Sequence, residues 1–383
     1  MHSLAFAFSL SAQWLLLGVQ PTVARAVVNG PSLLTPPDRV AQSVNTTDSL
    51  PLCRDFTIPI SVNKTVETEL SLDDYNIESL YAWAGREVLV DGDYEMSARI
   101  CDPPPGVERK DTLQLLMHGA TFNKHMWDFP YKPETHSWVR YMANSGYTTL
   151  AIDYIGCGNS SHPDGLFDVQ TELFVQTTHQ IVQSIRTENL LGQSFSKISL
   201  VGFSIGAIVA SAVADKFPED ADSLVLLGIT WDREWLYPAF LAGLQTTASV
   251  VDPARWGDRD PFYQTQPTLQ ARRVACFFGD FEEEAALTDF ETRDLDSLGM
   301  AITFSFHLVE APKYEGHVFL GIGDHDSTFC PRKCGSQPYG VYDQFPLASE
   351  HVVKVYKDTG HALLYHRTAP LVMQDTLSFL ASI

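Results

Sequence analysis

Basic residues are scarce in this chain: Lys and Arg number 26 against 47 Asp and Glu in 383 residues, a formal net charge of −21. A chain so charged repels nucleic acid and anionic membrane surfaces, and it suits a neutral or cationic small-molecule partner. Outside the amino-terminal stretch there is no apolar run long enough to cross a bilayer. Cysteines are few, six in all, and only Cys330 and Cys334 stand close together. With no second pair at ligand spacing and no histidines grouped around these two, the sequence offers no zinc site. Internal repeats and low-complexity tracts are also absent. What is left is a globular chain, 45% hydrophobic and 19% charged, with material for one large domain or two small ones.

The amino terminus reads as a targeting segment. Residues 4–19 are mostly apolar but interrupted by Ser9, Ser11 and Gln13, and Ala24-Arg25-Ala26 is a small-x-small cleavage pattern. This predicts a secretory signal peptide over residues 1–26, followed by a poorly ordered, polar stretch at 27–50. Three Asn-x-Ser/Thr sequons, at Asn45, Asn63 and Asn159, are candidate glycosylation sites on such a route. Disulfides are expected between Cys53 and Cys101 and between Cys330 and Cys334, with Cys157 and Cys276 left as a third pair or as free buried thiols.

Two extended stretches, 56–62 and 86–101, open the body as candidate antiparallel edge strands, with a turn expected at Asp91-Gly92-Asp93. From residue 112 strands alternate with helices. Strands are expected over 112–117, 148–152, 198–201, 223–229, 317–323 and 351–356, and helices over 135–145, 169–191, from 205 to near Pro218, and 369–381. This alternation predicts a parallel sheet covered on both faces. Residues 231–314 break the rhythm. They are rich in aromatics (Trp231, Trp235, Tyr237, Phe240) and acids (281–284 and 289–296) and show no strand series. The segment is expected to be a helical insertion, its acids forming a solvated face.

In open α/β sheets reactive groups gather at the carboxyl ends of strands. Four features lie there: His118-Gly119-Ala120, Ser204, Asp324 or Asp326, and His361. Ser204 sits in Gly202-Phe203-Ser204-Ile205-Gly206 between an apolar strand and an Ala-rich helix, where a sharp strand-to-helix turn needs small neighbours. A serine hydroxyl is a weak nucleophile at neutral pH; a histidine within about 3 Å removes its proton. An acid on the other ring nitrogen fixes the tautomer. The developing oxyanion needs backbone N–H donors, expected here from Ile205 and Ala120.

Together, LLMHGATFNKHMWDFP, AIDYIGCGNSS, LVGFSIG, VFLGIGDHD and DTGHALL resemble the α/β-hydrolase family, in its cap-bearing branch, over roughly residues 86–383. The resemblance implies an α/β-hydrolase fold: a mostly parallel eight-stranded sheet with helices on both faces and a helical cap insertion. It divides the chain into a core over 51–230 and 315–383 and a cap over 231–314. In the family the acid falls three residues after a strand-ending glycine, which selects Asp326 over Asp324, and Asp153 is structural. The family's epoxide hydrolases and haloalkane dehalogenases carry a carboxylate nucleophile where this chain has Ser204. The general look is of secreted fungal members. The expected function is a secreted, glycosylated serine hydrolase of an apolar carboxylic ester or lactone, needing no cofactor or metal. Alternatives are a peptidase, a thioesterase, a C–C hydrolase or cyclase of a secondary metabolite, and a catalytically silent binding protein.

Overall fold

A computed structural model of the chain describes residues 50–63, 91–188, 190–232, 243, 245–330 and 332–383. They belong to one compact unit, Thr46–Ile383. The signal-peptide and 27–49 expectations, Asn45, residues 86–90, and Trp235, Tyr237 and Phe240 lie outside the described residues.

An eight-stranded sheet forms the centre. Its strands are β1 (Leu52–Asn63), β2 (Asp91–Asp102), β3 (Thr112–Met117), β4 (Thr148–Ile152), β5 (Lys197–Phe203), β6 (Ser223–Leu227), β10 (His317–Gly323) and β11 (Glu350–Tyr356). Their order is β1-β2-β4-β3-β5-β6-β10-β11. The first two pairings, β1 with β2 and β2 with β4, are antiparallel. From β4 to β11 every neighbour is parallel. Parallel strands are covered on both faces and therefore read as unbroken apolar runs. Ile198, Leu200, Val201, Leu224, Val225, Leu226 and Leu227 have no exposed surface. Truncating one of them to Ala removes about 2–5 kcal/mol of stability, the usual result of leaving a cavity in a packed core.

Along the sheet's faces lie helices α1 (Trp138–Asn144), α2 (Thr171–Glu188), α3 (Ile205–Lys216) and α7 (Ala369–Leu380). On α2 the predicted face of Phe174, Ile181 and Ile185 is buried. The helix expected over 135–145 is two pieces. Ser137 is extended, and its hydroxyl accepts from Arg140 N, so the chain stops after Pro133–His136 and restarts at Trp138.

The turn expected at Asp91-Gly92-Asp93 is absent. These residues pair with Asn63, Val62 and Ser61, continuing β2 in register with β1. Pairing along the whole of β1 overrides the local turn preference. The same register sets Cys53 opposite Cys101, and the two are disulfide-bonded, as are Cys330 and Cys334. Cys157 and Cys276 are free and buried.

Between β6 and β10 the chain is not purely helical. Besides α4 (Leu269–Cys276), α5 (Glu283–Thr292) and α6 (Leu298–Thr303), it forms a small antiparallel sheet of β7 (Thr246–Thr247), β8 (Tyr263–Thr265) and β9 (Asp296–Ser297). Strands of two or three residues carry no hydrophobic period by which sequence could reveal them. The acids of this segment divide: Glu283, Glu284 and Glu291 are exposed as expected, whereas Asp289, Asp294 and Asp296 are buried, not solvated. Trp231 packs edge-on against Phe345 and donates its ring N–H to Val309 O, which places this aromatic on the core.

Candidate active site

The chain leaves β3 for β4 on one side and returns to β5 on the other, so the strand order reverses at the β3–β5 pair. Crevices outside such switch points are where open sheets bind ligands. Ser204 follows β5 directly with φ 55 and ψ −117. A side-chain-bearing residue held there costs about 1–3 kcal/mol and persists only when its surroundings over-determine it. They do so here through two glycines. A Cβ on Gly202 would lie 2.2 Å from Gly206 O, and one on Gly206 would lie 2.2 Å from Met117 O. Strand, turn and helix thus meet at backbone contact and raise the serine at the strand end.

His361 and Asp326 arrive from the turns after β11 and β10. Ser204 Oγ is 2.9 Å from His361 Nε2, and His361 Nδ1 is 2.7 Å from Asp326 Oδ2. Asp326 is fully buried, and its other oxygen accepts from Thr328 N (2.9 Å) and Phe329 N (3.0 Å). The carboxylate is thereby fixed and charge-stabilised by backbone donors. Asp324 does different work: it accepts from Thr359 N and contacts His325 Nδ1, bracing the turn. Ser204, His361 and Asp326 are therefore brought together, and Asp324 is not.

Ile205 opens α3, so its N–H has no intrahelical acceptor. Ala120 lies in the turn after β3, closed by Phe122 N donating to Gly119 O at 3.2 Å. Both flank Ser204, and Ala120 lines a cavity shared with Ser204 and His361. This cavity has a volume of about 50 Å³, and its remaining wall includes Phe122, Gln245, Gln266, Arg272, Cys276 and Thr328. Burial pushes the Cys276 thiol up to about 12, so it stays protonated and unreactive at neutral pH. His118 is buried with its ring tied to Gly119 O and Tyr154 N, a structural placement. Asp153 accepts from the buried Lys124 ammonium at 2.6 Å and from Asn159 N, bracing the loop after β4. Asn159 is exposed there, while Asn63 ends β1. Among the described residues no group of three or more His, Cys, Asp or Glu side chains gathers as a metal site.

Sequence reading missed the charged wall of the cavity. Arg272 has no exposed surface and forms a bidentate pair with the buried Asp289 (Nε to Oδ2 2.7 Å, Nη2 to Oδ1 2.8 Å). A signal was present: Asp289 shares a helical face with Ala285 and Ala286, and Arg272 is four residues from Cys276 on the buried side of α4.

The family model described as the α/β hydrolase family matches residues 114–373. The chain belongs to this family. Similar solved structures include a peroxisomal α/β-hydrolase of Saccharomyces cerevisiae, 12% identical with TM-score 0.53, covering 87% of this chain and 89% of that one. A monoacylglycerol lipase of Paleococcus ferrophilus is 15% identical with TM-score 0.52, covering 72% and 96%. A thermophilic esterase of Thermogutta terrifontis is 16% identical with TM-score 0.51, covering 76% and 94%. At such identities the likeness is one of fold. Among curated proteins, epoxide hydrolase 3 of Xenopus tropicalis is 27% identical over 120 residues, which is 31% of this chain and 28% of that relative's length.

Proposed function

We propose that this chain is a serine hydrolase of carboxylic esters or lactones. The observation that carries the reading is the continuous hydrogen-bonded series from Ser204 through His361 to Asp326 at a strained strand-to-helix turn. Ser204 Oγ adds to the ester carbonyl as its proton passes to His361 Nε2. The tetrahedral oxyanion is held by the Ile205 and Ala120 N–H groups. Collapse breaks the ester C–O bond, and the His361 proton goes to the departing alkoxide. Water, deprotonated by the same nitrogen, then attacks the acyl-serine and releases the acid. Asp326 orients His361 and stabilises its charged form throughout. No cofactor enters these steps.

The segment over 231–314 acts as the cap that selects the acyl group. It reaches the turns that bear Ala120, Asp326 and His361. Asp294 N donates to Thr121 O, Ser327 Oγ to Ala275 O, and Ala362 N to Cys276 O. Thr121, Gln266, Arg272 and Thr328 stand beside Phe122 and Ala275 in the cavity wall, and this mixed lining suits an ester with polar as well as apolar parts. Ser204 stands where an epoxide hydrolase would need a carboxylate nucleophile, so epoxide opening is not proposed. The two disulfides fit an oxidising compartment. With the amino-terminal segment and the sequons at Asn45, Asn63 and Asn159, they support export and glycosylation.

A panel of p-nitrophenyl esters, lactones and p-nitroanilide amides tests the reading. Wild-type protein should hydrolyse esters or lactones faster than amides, and Ser204→Ala, still folded, should lose that turnover. Retained turnover in Ser204→Ala, or none in folded wild type, would overturn it.

A further inference from the structure

The turn after β3 is held from outside the core. It runs from Gly119 to Phe122 and has Thr121 at its third position with φ 61. That is the conformation of a type II turn, whose third residue is ordinarily Gly or Asn. A β-branched residue is disfavoured there. Two partners from the 231–314 segment grip it. Arg272 Nη1 donates to Thr121 Oγ1 at 2.5 Å, and Asp294 N donates to Thr121 O at 2.8 Å. The Thr121 hydroxyl in turn donates a hydrogen bond to Ala120 O at 2.6 Å. Arg272 also lies 4.0 Å over the Phe122 ring.

We infer that the Arg272–Asp289 pair is a positioning device that locks the Ala120 turn through Thr121 in the geometry that aims the Ala120 N–H at the reacting oxyanion. The inference rests on the hydrolase reading above. Arg272 is not a hook for an anionic substrate. Asp289 neutralises it, and its Nη1 is shared between Thr121 and Gln266 Oε1 (3.0 Å), so four hydrogen bonds within the protein occupy the guanidinium. Without the grip, Thr121 relaxes toward negative φ, the Ala120–Thr121 peptide turns over, and the preceding N–H shifts with it. A displacement of about 1 Å at such a donor costs on the order of a hundredfold in rate. Substrate binding is little affected, because the donor acts on charge that develops only in the transition state.

The test compares kcat and KM on p-nitrophenyl butyrate for full-length wild type, Thr121→Val, Thr121→Gly, the double variant Arg272→Met/Asp289→Leu, and that double variant with Thr121→Gly added. Thr121→Val keeps the branched side chain and loses the hydroxyl; kcat should fall about thirtyfold with KM within about threefold. Glycine adopts positive φ unaided, so Thr121→Gly should lose far less. The double variant should lose kcat as Thr121→Val does, and adding glycine should restore it to within about fivefold of wild type. A merely structural role would not be rescued by removing a side chain. Should the double variant fail to fold, the Val and Gly variants at Thr121 carry the comparison alone. The inference falls if Thr121→Val retains kcat, if the losses lie in KM, or if glycine does no better than valine. Wild type that neither turns over the ester nor takes up a fluorophosphonate would instead remove the hydrolase reading itself.

Discussion

The Ser204 elbow and the Arg272 cluster face the same cavity and are held by opposite means. The elbow is fixed by apolar strands and by glycines that bring three backbone segments into contact. The opposite wall is fixed by buried polar contacts: the Arg272–Asp289 ion pair, Asp294 with its backbone N–H on Thr121 and its carboxylate on Asn123, and the Asp296 carboxyl with Gln245. Apolar packing tolerates small changes by local relaxation, whereas a buried ion pair is costly to break on one side and nearly neutral to replace whole. The core therefore places Ser204, His361 and Asp326, and the 231–314 segment sets their surroundings through a few high-stakes contacts.

The sharpest break between the two regions is chemical. Asp326→Asn should lower kcat by about ten-thousandfold, the effect of losing the acid that fixes the histidine tautomer. Asp324→Asn, which touches the turn at Thr359 and His325 but not His361, should cost less than about tenfold, since it disturbs orientation and not proton transfer. Steady-state kinetics on one ester separates them, and a larger loss at Asp324 would move the acid.

On the other wall the break is one of stability. Arg272→Met alone strands the Asp289 charge and should cost about 3–5 kcal/mol in urea unfolding, whereas Arg272→Met with Asp289→Leu should recover most of that loss. Equal destabilisation of the single and double variants would mean that the pair is not the element holding this wall.

A break of another kind, in pH dependence, concerns Asp296. Burial raises its carboxyl to about 8, against lesser opposing pulls from Gln245 and Arg272. A folded protein that holds this proton more tightly than the unfolded chain loses stability as pH climbs from the ordinary carboxylate range to about 8, and no further above it. Asp296→Asn removes the titration. Its melting temperature should gain on wild type progressively from pH 5 to pH 8, and parallel pH profiles for the two proteins would show that Asp296 ionises freely.

The strands were the legible part. Thr112–Met117, Thr148–Ile152 and His317–Gly323 stand in the sequence as short, mostly apolar runs without charge, and a buried parallel strand leaves few other readings. The placing of Ser204, Asp326 and His361 followed, because each lies just past such a run. Asp91-Gly92-Asp93 misled because its local preference is for a turn while its pairing partners are nearly thirty residues away. Arg272, Asp289 and Thr121 were illegible as a unit, since their contact joins residues 121, 272 and 289 and no local period links them. Asp289 shares a helical face with Ala285 and Ala286, while Asp294 and Asp296 lie beyond the end of that helix and carried no such signal.

The central claim is that Ser204 is an activated nucleophile. Treating folded wild-type protein and Ser204→Ala with a fluorophosphonate, followed by intact-mass measurement and peptide mapping, tests it directly. The expected result is one adduct on wild type, located at Ser204, with none on the variant. No adduct on folded wild type, or an equal adduct on Ser204→Ala, would contradict it.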